Sequence, residues 1–463
     1  SRLQYKIPAL EIERVRTDIK AEFGMSPEDL YESLEEQPFA SASIGQVHRA
    51  VLKDGEAVAV KVQRPGIQKI IEVDLEIMLH LATLAERHIE ELSFHRPVKI
   101  VEEFAKTLEK EIDYQNEATN MERVSRHFLD APHVYIPKVY RETTTTRVLT
   151  TEFIEGIKIS DIEGIEAAGL DRSILTARGA DLVLEQIFVH GFFHADPHPG
   201  NIFVLPDNVI CLLDFGMTGI VDRQTREDFV DLLDSIVHQN EIRAAQVLLK
   251  LTYWDNEPER RQFEREVADF MGRHLYKPLK DIELGKLLQQ LLELATGLRL
   301  RIPPDIFLMM KAFSTVEGVG HMLDPDFDMI AQATPFITEV KLARYKPQRL
   351  ADDVYELGTR LLHFFQQFPK DLLDLANLIR QQRLRVQIEH RGLETMLATH
   401  DRISNRISFS ILIAALIIGS ALIVISETPP LIYGISLIGI LLFSAAALMG
   451  IWLLVAILRK GKL

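Results

Sequence analysis

The stretch His194-Ala195-Asp196-Pro197-His198-Pro199-Gly200-Asn201 decides the fold of this chain, together with a shorter stretch on either side of it. Upstream lies Val58-Ala59-Val60-Lys61, and downstream lies Asp214-Phe215-Gly216. Either short stretch alone is more often a solvated strand end or a glycine turn. All three in this order and spacing are typical of a site that positions ATP and magnesium.

The residue types at these positions suit phosphoryl transfer, which needs positioned charges around the phosphates. Lys61 closes an alternating apolar run, so its ammonium is predicted to project from a strand toward the α- and β-phosphates. Asp196 and Asn201 are spaced as in the loop H-R-D-L-x-x-x-N, where the Asp orients or deprotonates the acceptor and the Asn holds a metal. Asp214 follows the apolar run Val209 to Leu213, a predicted buried strand. We therefore predict Lys61 and Asp196 as catalytic residues, and Asn201 and Asp214 as magnesium ligands.

A phosphate-binding loop is expected upstream of Lys61, where the pattern G-x-G-x-x-G-x-V would stand. The chain instead reads Ala40-Ser41-Ala42-Ser43-Ile44-Gly45-Gln46-Val47, which retains only the third glycine. Alanine cannot adopt the positive φ angles that glycine allows, so ATP is expected to bind differently here. The predicted ATP-binding residues of this loop are Ala40, Ser41, Ala42, Ser43, Gly45 and Val47.

Further motifs make a specific resemblance visible. They are the alanine-rich loop Ala40 to Val47, Lys61-Val62-Gln63-Arg64-Pro65-Gly66, Glu111-Ile112-Asp113-Tyr114, Glu117-Ala118-Thr119-Asn120 and the catalytic loop. Together they resemble the UbiB/ADCK family of atypical protein-kinase-like proteins, which is linked to ubiquinone biosynthesis. The similarity extends from about Ala9 through the C-terminal apolar segments.

The resemblance implies roles for an acidic segment between the loop and the catalytic motif. Glu111 and Asp113 match the family's regulatory Glu-x-Asp pair, which lies near the nucleotide pocket in place of ordinary substrate access. Glu117 matches the glutamate of the αC-like helix and is the expected ion-pair partner of Lys61, with Glu111 as a competitor. Without the resemblance, the same carboxylates would be a solvated acidic helix face.

Two departures limit what the resemblance implies. The family's N-terminal extension carries a Lys-x-Gly-Gln motif, which this sequence lacks, and we expect an N-terminal region to be missing before Ser1. No Ala-Pro-Glu motif follows Gly216, although that segment normally docks a peptide substrate. The second departure argues against ordinary protein phosphorylation and favours ATP hydrolysis or a small lipid-like acceptor.

Composition indicates a protein with soluble and membrane parts. The 463 residues exceed one ordinary domain, and the hydrophobic fraction of 47% is concentrated toward the C-terminus. A formal net charge of −15 argues against a nucleic-acid partner. The single cysteine, Cys211, excludes an internal disulfide and is most simply a small core residue.

The predicted fold class is α+β, a bilobal protein-kinase-like fold followed by a two-helix transmembrane hairpin. Predicted helices Ile67 to His88 and Val98 to Phe128 lie in the small lobe. The hinge is placed at Glu152 to Ile154, whose backbone is expected to bind adenine. The predicted parts are an N-terminal helical remnant (1–37), the small lobe (38–155), the helical large lobe (156–345), amphipathic linker helices (346–405) and the hairpin (406–463).

Two uncharged runs near the C-terminus, Ile407 to Ser426 and Leu431 to Leu458, are each long enough to cross a bilayer. Glu427 to Pro430 between them allows only a tight reversal. Basic residues flank both runs, at Arg402, Arg406, Arg459, Lys460 and Lys462. By the positive-inside rule, both ends and the kinase-like domain face the cytoplasm at a bacterial inner membrane. The alternative is a pair of buried core helices.

Two features near these runs suggest partners. Small residues within the runs permit packing between the helices or formation of a homodimer. They are Gly419, Ser420, Ala421, Gly439, Ala445, Ala446, Ala447 and Gly450. The preceding basic segment, with Arg380, Arg383, Arg385 and Arg391, is either a contact for anionic membrane lipid or an ordinary solvated helix face.

These observations favour a membrane-anchored atypical kinase or ATPase that uses ATP with Mg²⁺. By resemblance, its partner would be a polyprenyl quinone precursor or the enzymes of quinone biosynthesis. A small-molecule kinase like the aminoglycoside phosphotransferases has a similar catalytic loop but lacks the alanine-rich loop and the hairpin. A third hypothesis is an ATP-responsive scaffold for a biosynthetic complex, since the alanines of the loop favour binding over turnover.

Overall fold

The computed structural model describes residues 10–41, 44–89, 96–254, 258–275, 282–380, 393–426, 429–432 and 435–460. The chain divides into two compact units, residues 1–356 and 357–463. The finer boundaries predicted between the small lobe, the large lobe and the linker helices remain predictions.

The strands of the first unit are short and lie between residues 31 and 220. In chain order they are β1 (Tyr31–Leu34), β2 (Ala40–Ser41), β3 (Gly45–Leu52), β4 (Ala57–Gln63), β5 (Val134–Tyr135), β6 (Val148–Glu152), β7 (Ile157–Lys158), β8 (Phe192–His194), β9 (Ile202–Leu205), β10 (Val209–Leu212) and β11 (Thr218–Ile220).

The helices of the first unit surround and follow these strands. They are α1 (Ile12–Phe23), α2 (Pro27–Leu30), α3 (Ile67–His88), α4 (Pro97–Glu111), α5 (Tyr114–His127), α6 (Ile162–Ala167), α7 (Arg172–Glu185), α8 (Arg223–Val237), α9 (Glu241–Lys250), α10 (Arg260–His274), α11 (Leu284–Gly297), α12 (Pro304–Leu323) and α13 (Met329–Ala343). Short 3₁₀ turns lie at Arg141–Thr143, Pro199–Asn201 and Pro206–Asn208, and a π-helical turn, Gln186–His190, extends α7.

An antiparallel sheet positions Lys61. Its strand order is β1-β3-β4-β6, and β2 also pairs with β3. Side chains alternate between the two faces of a strand, and in β4 the valines Val58, Val60 and Val62 are buried in the core. Lys61 therefore lies on the opposite face, where Val47 of β3 and Leu149 of β6 are its direct cross-strand neighbours.

The region predicted as one helix from Val98 to Phe128 is two helices, so that prediction is wrong. The chain leaves α4 after Glu111 and enters α5 at Tyr114. Asp113 has an extended backbone (φ −95°, ψ 101°), and its side chain accepts a hydrogen bond from the backbone N–H of Gln115. Aspartate favours this N-cap geometry because its short carboxylate satisfies an N–H that the helix leaves free. The cap starts a new helix in the middle of the predicted one.

Two further sheets carry the motifs of the catalytic loop. The strands β5, β10, β9 and β7 form one sheet in that order, and β8 pairs with β11 in another. The β9–β10 pair is antiparallel, with Leu212 opposite Ile202. This hairpin joins the end of the catalytic loop to the start of the Asp214-Phe215-Gly216 motif.

The helices from α7 to α13 share one large hydrophobic core. At its centre the rings of Phe188, Phe229 and Phe313 contact one another, with centroids 5.6 to 6.4 Å apart. Fully burying one such side chain stabilises a fold by about 1.5–3 kcal/mol. This core supports the catalytic loop.

A long helix, α14 (Pro347–Arg380), begins in the first unit and ends in the second. The second unit continues with α15 (Leu393–Ile425), a short antiparallel pair β12 (Leu431–Ile432) and β13 (Ile435–Ser436), and α16 (Leu437–Lys460). In this unit α15 and α16 pack together. A Cβ on Gly439 would come 3.3 Å from the Ser420 carbonyl, so the two helices approach closely at this point.

The second uncharged run, predicted from Leu431 to Leu458, holds a short strand pair before its helix. Leu431–Ile432 and Ile435–Ser436 form the β12–β13 pair, and α16 begins at Leu437. Among the described residues, one helix, Ile403–Ile425, is long and apolar enough to cross a membrane by length and composition. The apolar part of α16, Leu437–Leu453, is shorter. A hairpin in which both helices cross the membrane therefore stays a proposal.

Candidate functional site

The ammonium of Lys61 contacts two carboxylates and a ring. Its Nζ donates to both carboxylate oxygens of Glu117 on α5, at 3.0 and 2.8 Å. Asp214 Oδ2 lies 3.8 Å from the same nitrogen, and the ring of Tyr114 lies beneath it, 5.0 Å from Nζ to the centroid. The Lys61 and Glu117 side chains are only 19% and 3% exposed. The structure thus brings together the predicted lysine, the αC-like glutamate and one predicted metal ligand.

The charges of this group act on one another. Burial alone would lower the pKa of Lys61, but the negative charges of Glu117 and Asp214 raise it well above its usual value. Burial opposes ionisation of Asp214, yet the charge of Lys61 and the N–H of Gly216 hold the pKa of Asp214 below its usual value. At neutral pH the lysine is therefore cationic and the aspartate anionic.

The catalytic loop is held by backbone contacts to the segment after the Phe215 motif. The N–H of Ala195 donates to the carbonyl of Met217 at 3.1 Å, beside the pairing of β8 with β11. His194 Nδ1 accepts from the N–H of Asp196 at 3.3 Å, and burial lowers the pKa of His194, so its ring is neutral. His198 Nδ1 accepts from the N–H of Gly200 at 3.1 Å. Both histidines thus have backbone partners that shape the loop.

The two predicted magnesium ligands are connected through the β9–β10 hairpin. The N–H of Leu213 donates to the carbonyl of Asn201 at 3.0 Å, which places Asn201 beside the residue that precedes Asp214. Asp214 Oδ1 accepts from the N–H of Gly216 at 2.9 Å, which orients the carboxylate. Oxygen donors of these types, completed by phosphates and water, suit Mg²⁺. Among the described residues no cluster of three or more His, Cys, Asp or Glu side chains could hold a metal.

Asp196 has a partner that the sequence analysis missed. Its Oδ2 lies 3.3 Å from Nζ of Lys311, a residue of α12 that also contacts the sulfur of Met217 at 3.9 Å. Lys311 is a cation within the run Met309-Met310-Lys311-Ala312-Phe313, whose other members are buried. In the sequence, Lys311 is recognisable as a single charge within an apolar helical run. Its partner Asp196 lies far away in the sequence, so the pattern does not identify the pair.

The alanine-rich loop lies at the edge of the first sheet. Ala40 and Ser41 form β2, and the hydroxyl of Ser41 accepts from Arg64 Nη2 at 2.8 Å. Val47 faces the same side of the sheet as Lys61, as expected for a residue covering bound nucleotide. Ala42 and Ser43 lie outside the described residues, so the phosphate contact predicted for Ser43 stays a prediction.

Gly45 is required by a close approach that the sequence did not reveal. A Cβ at this position would collide with the hydroxyl of Tyr114 and come 2.8 Å from the Val62 carbonyl. Tyr114 is buried, and its hydroxyl has no hydrogen-bond partner among the described residues. The glycine therefore lets α5 pack against the β3–β4 pair, whatever its role toward phosphate.

The predicted hinge already uses part of its hydrogen-bonding capacity. The N–H of Glu152 donates to the Lys138 carbonyl at 2.8 Å, and the N–H of Phe153 donates to Ala57 at 3.0 Å. The Glu152 carboxylate accepts from the Tyr135 hydroxyl at 2.8 and 2.7 Å. Adenine binding by the backbone of this segment stays a prediction.

The two residues of the Glu-x-Asp pair have different surroundings. Glu111 lies against the Phe215 motif, with its Cγ 3.6 Å from where a Cβ on Gly216 would stand. Burial and then the charge of Asp214 raise the pKa of Glu111. Asp113 instead caps α5. In the described part of the chain, the ion-pair partners of Lys61 are Glu117 and Asp214, so Glu111 does not displace Glu117 here.

A side chain of α5 also contacts the Phe215 motif. Asn120 Nδ2 donates to the carbonyl of Phe215 at 3.1 Å. Asn120 is the last residue of the Glu117-Ala118-Thr119-Asn120 motif, and its sequence position alone predicts no role for it. With Glu117 on the same helix, it makes the position of α5 sensitive to the conformation of the Phe215 motif.

Comparison with known proteins gives the same assignment for each part of the chain. The ABC1 atypical kinase-like domain matches residues 2–248, the UbiB helical domain matches 267–328, and the ABC1/UbiB kinase-like C-terminal domain matches 391–459. A Synechocystis protein described as uncharacterized is 32% identical over 464 residues, which cover 99% of this chain and 78% of that protein.

Two further similarities concern the family name and the fold. A Marinobacter nauticus protein named probable protein kinase UbiB is 32% identical over 372 residues, or 80% of this chain and 68% of its own length. Rv3197 of Mycobacterium tuberculosis, solved in a complex with erythromycin, superposes with a TM-score of 0.55 over 71% of this chain and 84% of its own. At 24% identity this likeness shows the fold alone. The chain has a kinase-like fold of mixed helix and sheet, and it belongs to the UbiB/ADCK family of ABC1 atypical kinase-like proteins.

Proposed function

We propose that this protein is a membrane-anchored atypical kinase or ATPase that turns over ATP with Mg²⁺ in support of quinone-lipid biosynthesis. The observation that carries the proposal is the buried Lys61–Glu117 ion pair with Asp214 3.8 Å from the ammonium. In active kinases the corresponding lysine–glutamate pair and the metal-binding aspartate must both be in place.

Each proposed role follows from the position and charge of a side chain. Lys61, held by Glu117, binds the α- and β-phosphates from the face of β4 opposite the core. Asp214 and Asn201 would hold magnesium, which when bound offsets the negative charge of the phosphates. Asp196, in the catalytic loop, orients the hydroxyl or water that accepts the phosphoryl group. Adenine binds at the hinge through the backbone near Ile154.

The acceptor and the partners are inferred from three features. The segment after Gly216 leads through β11 directly into α8, without an Ala-Pro-Glu motif, so water or a small lipid-like acceptor is favoured over a protein. Membership of the family supports a polyprenyl quinone precursor, or the enzymes that modify it, as the partner. The apolar helix Ile403–Ile425 supports anchoring in a membrane.

The membrane arrangement is part of the same proposal. We infer that α15 and α16 form a hairpin in the bacterial cytoplasmic membrane, with the kinase-like domain on the cytoplasmic side. Their close packing at Gly439 and the exposed apolar side chains of both helices support it. Arg380 begins the basic segment expected on anionic lipid, while Arg383, Arg385 and Arg391 lie outside the described residues. A homodimer through the small residues of these helices is left to experiment.

The test is magnesium-dependent phosphate release from ATP by the full chain in vesicles of anionic lipid. Asp214→Asn removes a metal ligand and is expected to abolish release. Asp207→Asn is the matched control, because Asp207 is exposed in the turn after β9 and its positive φ of 63° is tolerated by asparagine. Equal rates for wild type and Asp214→Asn would rule out turnover at this site.

Nucleotide binding without turnover would support the ATP-responsive scaffold instead. One observation favours that alternative, because the hydroxyl of Ser41 is already bonded to Arg64 and Asp196 is already paired with Lys311. Both groups would have to change partners before they could serve catalysis.

A further inference from the structure

Lys311 is placed in the site by a buried helix. Its neighbours Met310 and Ala312 are buried, and α12 packs against α7 and β11, which carries the segment paired with the catalytic loop. The Lys311 and Asp196 side chains are 37% and 40% exposed, so the pair lies at the open side of the site. The packing of α12 therefore holds Lys311 beside Asp196.

The two lysines of the site have different carboxylate partners. Lys61 contacts Glu117 and Asp214, where the metal and the inner phosphates are proposed to bind. Lys311 contacts Asp196, which faces the phosphoryl acceptor in the proposed mechanism. The terminal phosphate of ATP has to lie between the metal ligand Asp214 and the acceptor-orienting Asp196. Lys311 is therefore within the part of the site that the γ-phosphate enters.

Lys311 also has hydrogen-bonding capacity to spare. An ammonium has three N–H donors. In the described part of the chain, Lys311 donates to the thioether sulfur of Met217 and forms an ion pair with Asp196 at 3.3 Å, so donors remain for a phosphate. A thioether is a weak acceptor. Lys61, by contrast, is bound by both oxygens of Glu117 and lies near Asp214.

The charge balance of the site points the same way. The carboxylates outnumber the ammonium groups, so a bound triphosphate needs each available cation. The carboxylates are those of Glu111, Glu117, Asp196 and Asp214, and the ammonium groups are those of Lys61 and Lys311.

We propose that Lys311 binds the γ-phosphate of ATP, exchanging its ion pair with Asp196 for the terminal phosphate oxygens. The proposal rests on the proposed function, because it places ATP in the same site. Its consequence is a control on Asp196, which is released from Lys311 only when a γ-phosphate is present. The site then distinguishes ATP from ADP through a residue outside the kinase motifs.

The test compares Mg-ATP with Mg-ADP binding to the full chain in vesicles, by competition against a fluorescent nucleotide. Lys311→Gln is expected to weaken Mg-ATP binding about tenfold, the size of a lost charge-assisted hydrogen bond, and to leave Mg-ADP binding unchanged. Lys311→Arg keeps the charge and is expected to restore most of the affinity. The control is Lys286→Gln, which removes an exposed lysine of α11 that pairs with Glu283 at 3.9 Å.

A double-mutant cycle tests the exchange itself. Asp196→Asn removes the competitor for the ammonium, so Mg-ATP is expected to bind more tightly, and Lys311→Gln in the same chain should abolish that gain. An equal gain in both backgrounds overturns the proposal, as does an equal loss of ATP and ADP affinity in Lys311→Gln.

The failure of each proposal has its own signature. Wild-type protein that binds neither nucleotide overturns the proposed function and this inference together. Wild-type protein that turns over ATP, with no ATP-selective effect of Lys311→Gln, overturns only the inference. If Lys311→Gln does not fold, Asp196→Asn and Lys311→Arg test the exchange instead. An unchanged preference for ATP over ADP in Asp196→Asn contradicts the exchange.

Discussion

The ammonium of Lys61 bridges both carboxylate oxygens of Glu117, at 3.0 and 2.8 Å, and so joins strand β4 to helix α5. The glutamate has almost no contact with solvent. A buried charge of this kind is tolerated only with its partner in place, so the pair makes the position of α5 and the shape of the site depend on each other.

Glu117→Gln removes the buried partner of Lys61. We expect the free energy of unfolding to fall by about 3 kcal/mol, because the buried ammonium loses the carboxylate that binds it at 2.8 Å and keeps the more distant Asp214 at 3.8 Å. Urea unfolding measures this, and ATP-driven phosphate release is expected to fall with it. Glu122→Gln on the same helix is the control, since its pair with Arg141 is surface exposed and is expected to contribute less than about 1 kcal/mol. Equal losses in the two variants would contradict the argument.

Glu111 predicts an unusual dependence of stability on pH. Burial and the charge of Asp214 raise its pKa in the folded state above the usual value of 4.5. A raised carboxyl pKa stabilises the fold below the unfolded value, and that contribution is lost as pH rises through the folded pKa. Glu111→Gln should therefore be more stable than wild type at neutral pH, with the difference disappearing below about pH 4.

Thermal unfolding at neutral and acidic pH checks this expectation. Glu109→Gln serves as the control, because Glu109 lies on the exposed face of α4. A Glu111→Gln variant that is less stable than wild type at neutral pH would show that its carboxylate makes a stabilising contact.

Gly45→Ala should destabilise the contact between the first sheet and α5. The added methyl would collide with the Tyr114 hydroxyl and crowd the Val62 carbonyl at 2.8 Å. Overpacking of this kind costs about 1–3 kcal/mol, measured by urea unfolding. Tyr114→Phe in the same chain removes the hydroxyl and is expected to recover part of the loss. Gly272→Ala, where nothing lies within 4 Å, is expected to be neutral or stabilising.

Two substitutions of Asp113 distinguish a structural role of this residue from a regulatory one. Asp113→Ala removes the N-cap of α5 and should lower the free energy of unfolding by about 1 kcal/mol. Asp113→Asn keeps a good cap and removes only the charge, so stability should be retained. If both variants change phosphate release equally while Asn preserves stability, the charge of Asp113 acts in the reaction. If only the alanine variant is affected, its role is to start the helix.

Gly439 tests the packing of the two C-terminal helices. Its position against Val424 and the Ser420 carbonyl leaves no room for a side chain, so Gly439→Val should force α15 and α16 apart. Phe409→Cys and Trp452→Cys, whose parent rings are 6.1 Å apart, allow cross-linking with a short reagent in a Cys211→Ser background. The cross-link should be lost in Gly439→Val and kept in Gly450→Val, where nothing lies within 4 Å.

The sequence was informative wherever the chemistry lies within a short segment. The spacing of Asp196 and Asn201 and the strand before Asp214 were readable because a loop and a strand are local structures. The alternation around Lys61 predicted which face of β4 it would occupy. The single helix predicted from Val98 to Phe128 failed because a continuous helical pattern concealed the cap at Asp113. For the second apolar run, hydropathy gave the length of the uncharged segment without telling that the helix within it starts at Leu437.

The sequence alone identified the family and the apolar character of the C-terminus, and it predicted Lys61, Asp196, Asn201 and Asp214 as site residues. Only the tertiary structure decided which charges meet. Lys311 reaches Asp196 from a helix more than a hundred residues away, and Tyr114 sits where Gly45 leaves space for it. Such contacts depend on how elements pack, and packing is set by the whole core, so no local pattern records them.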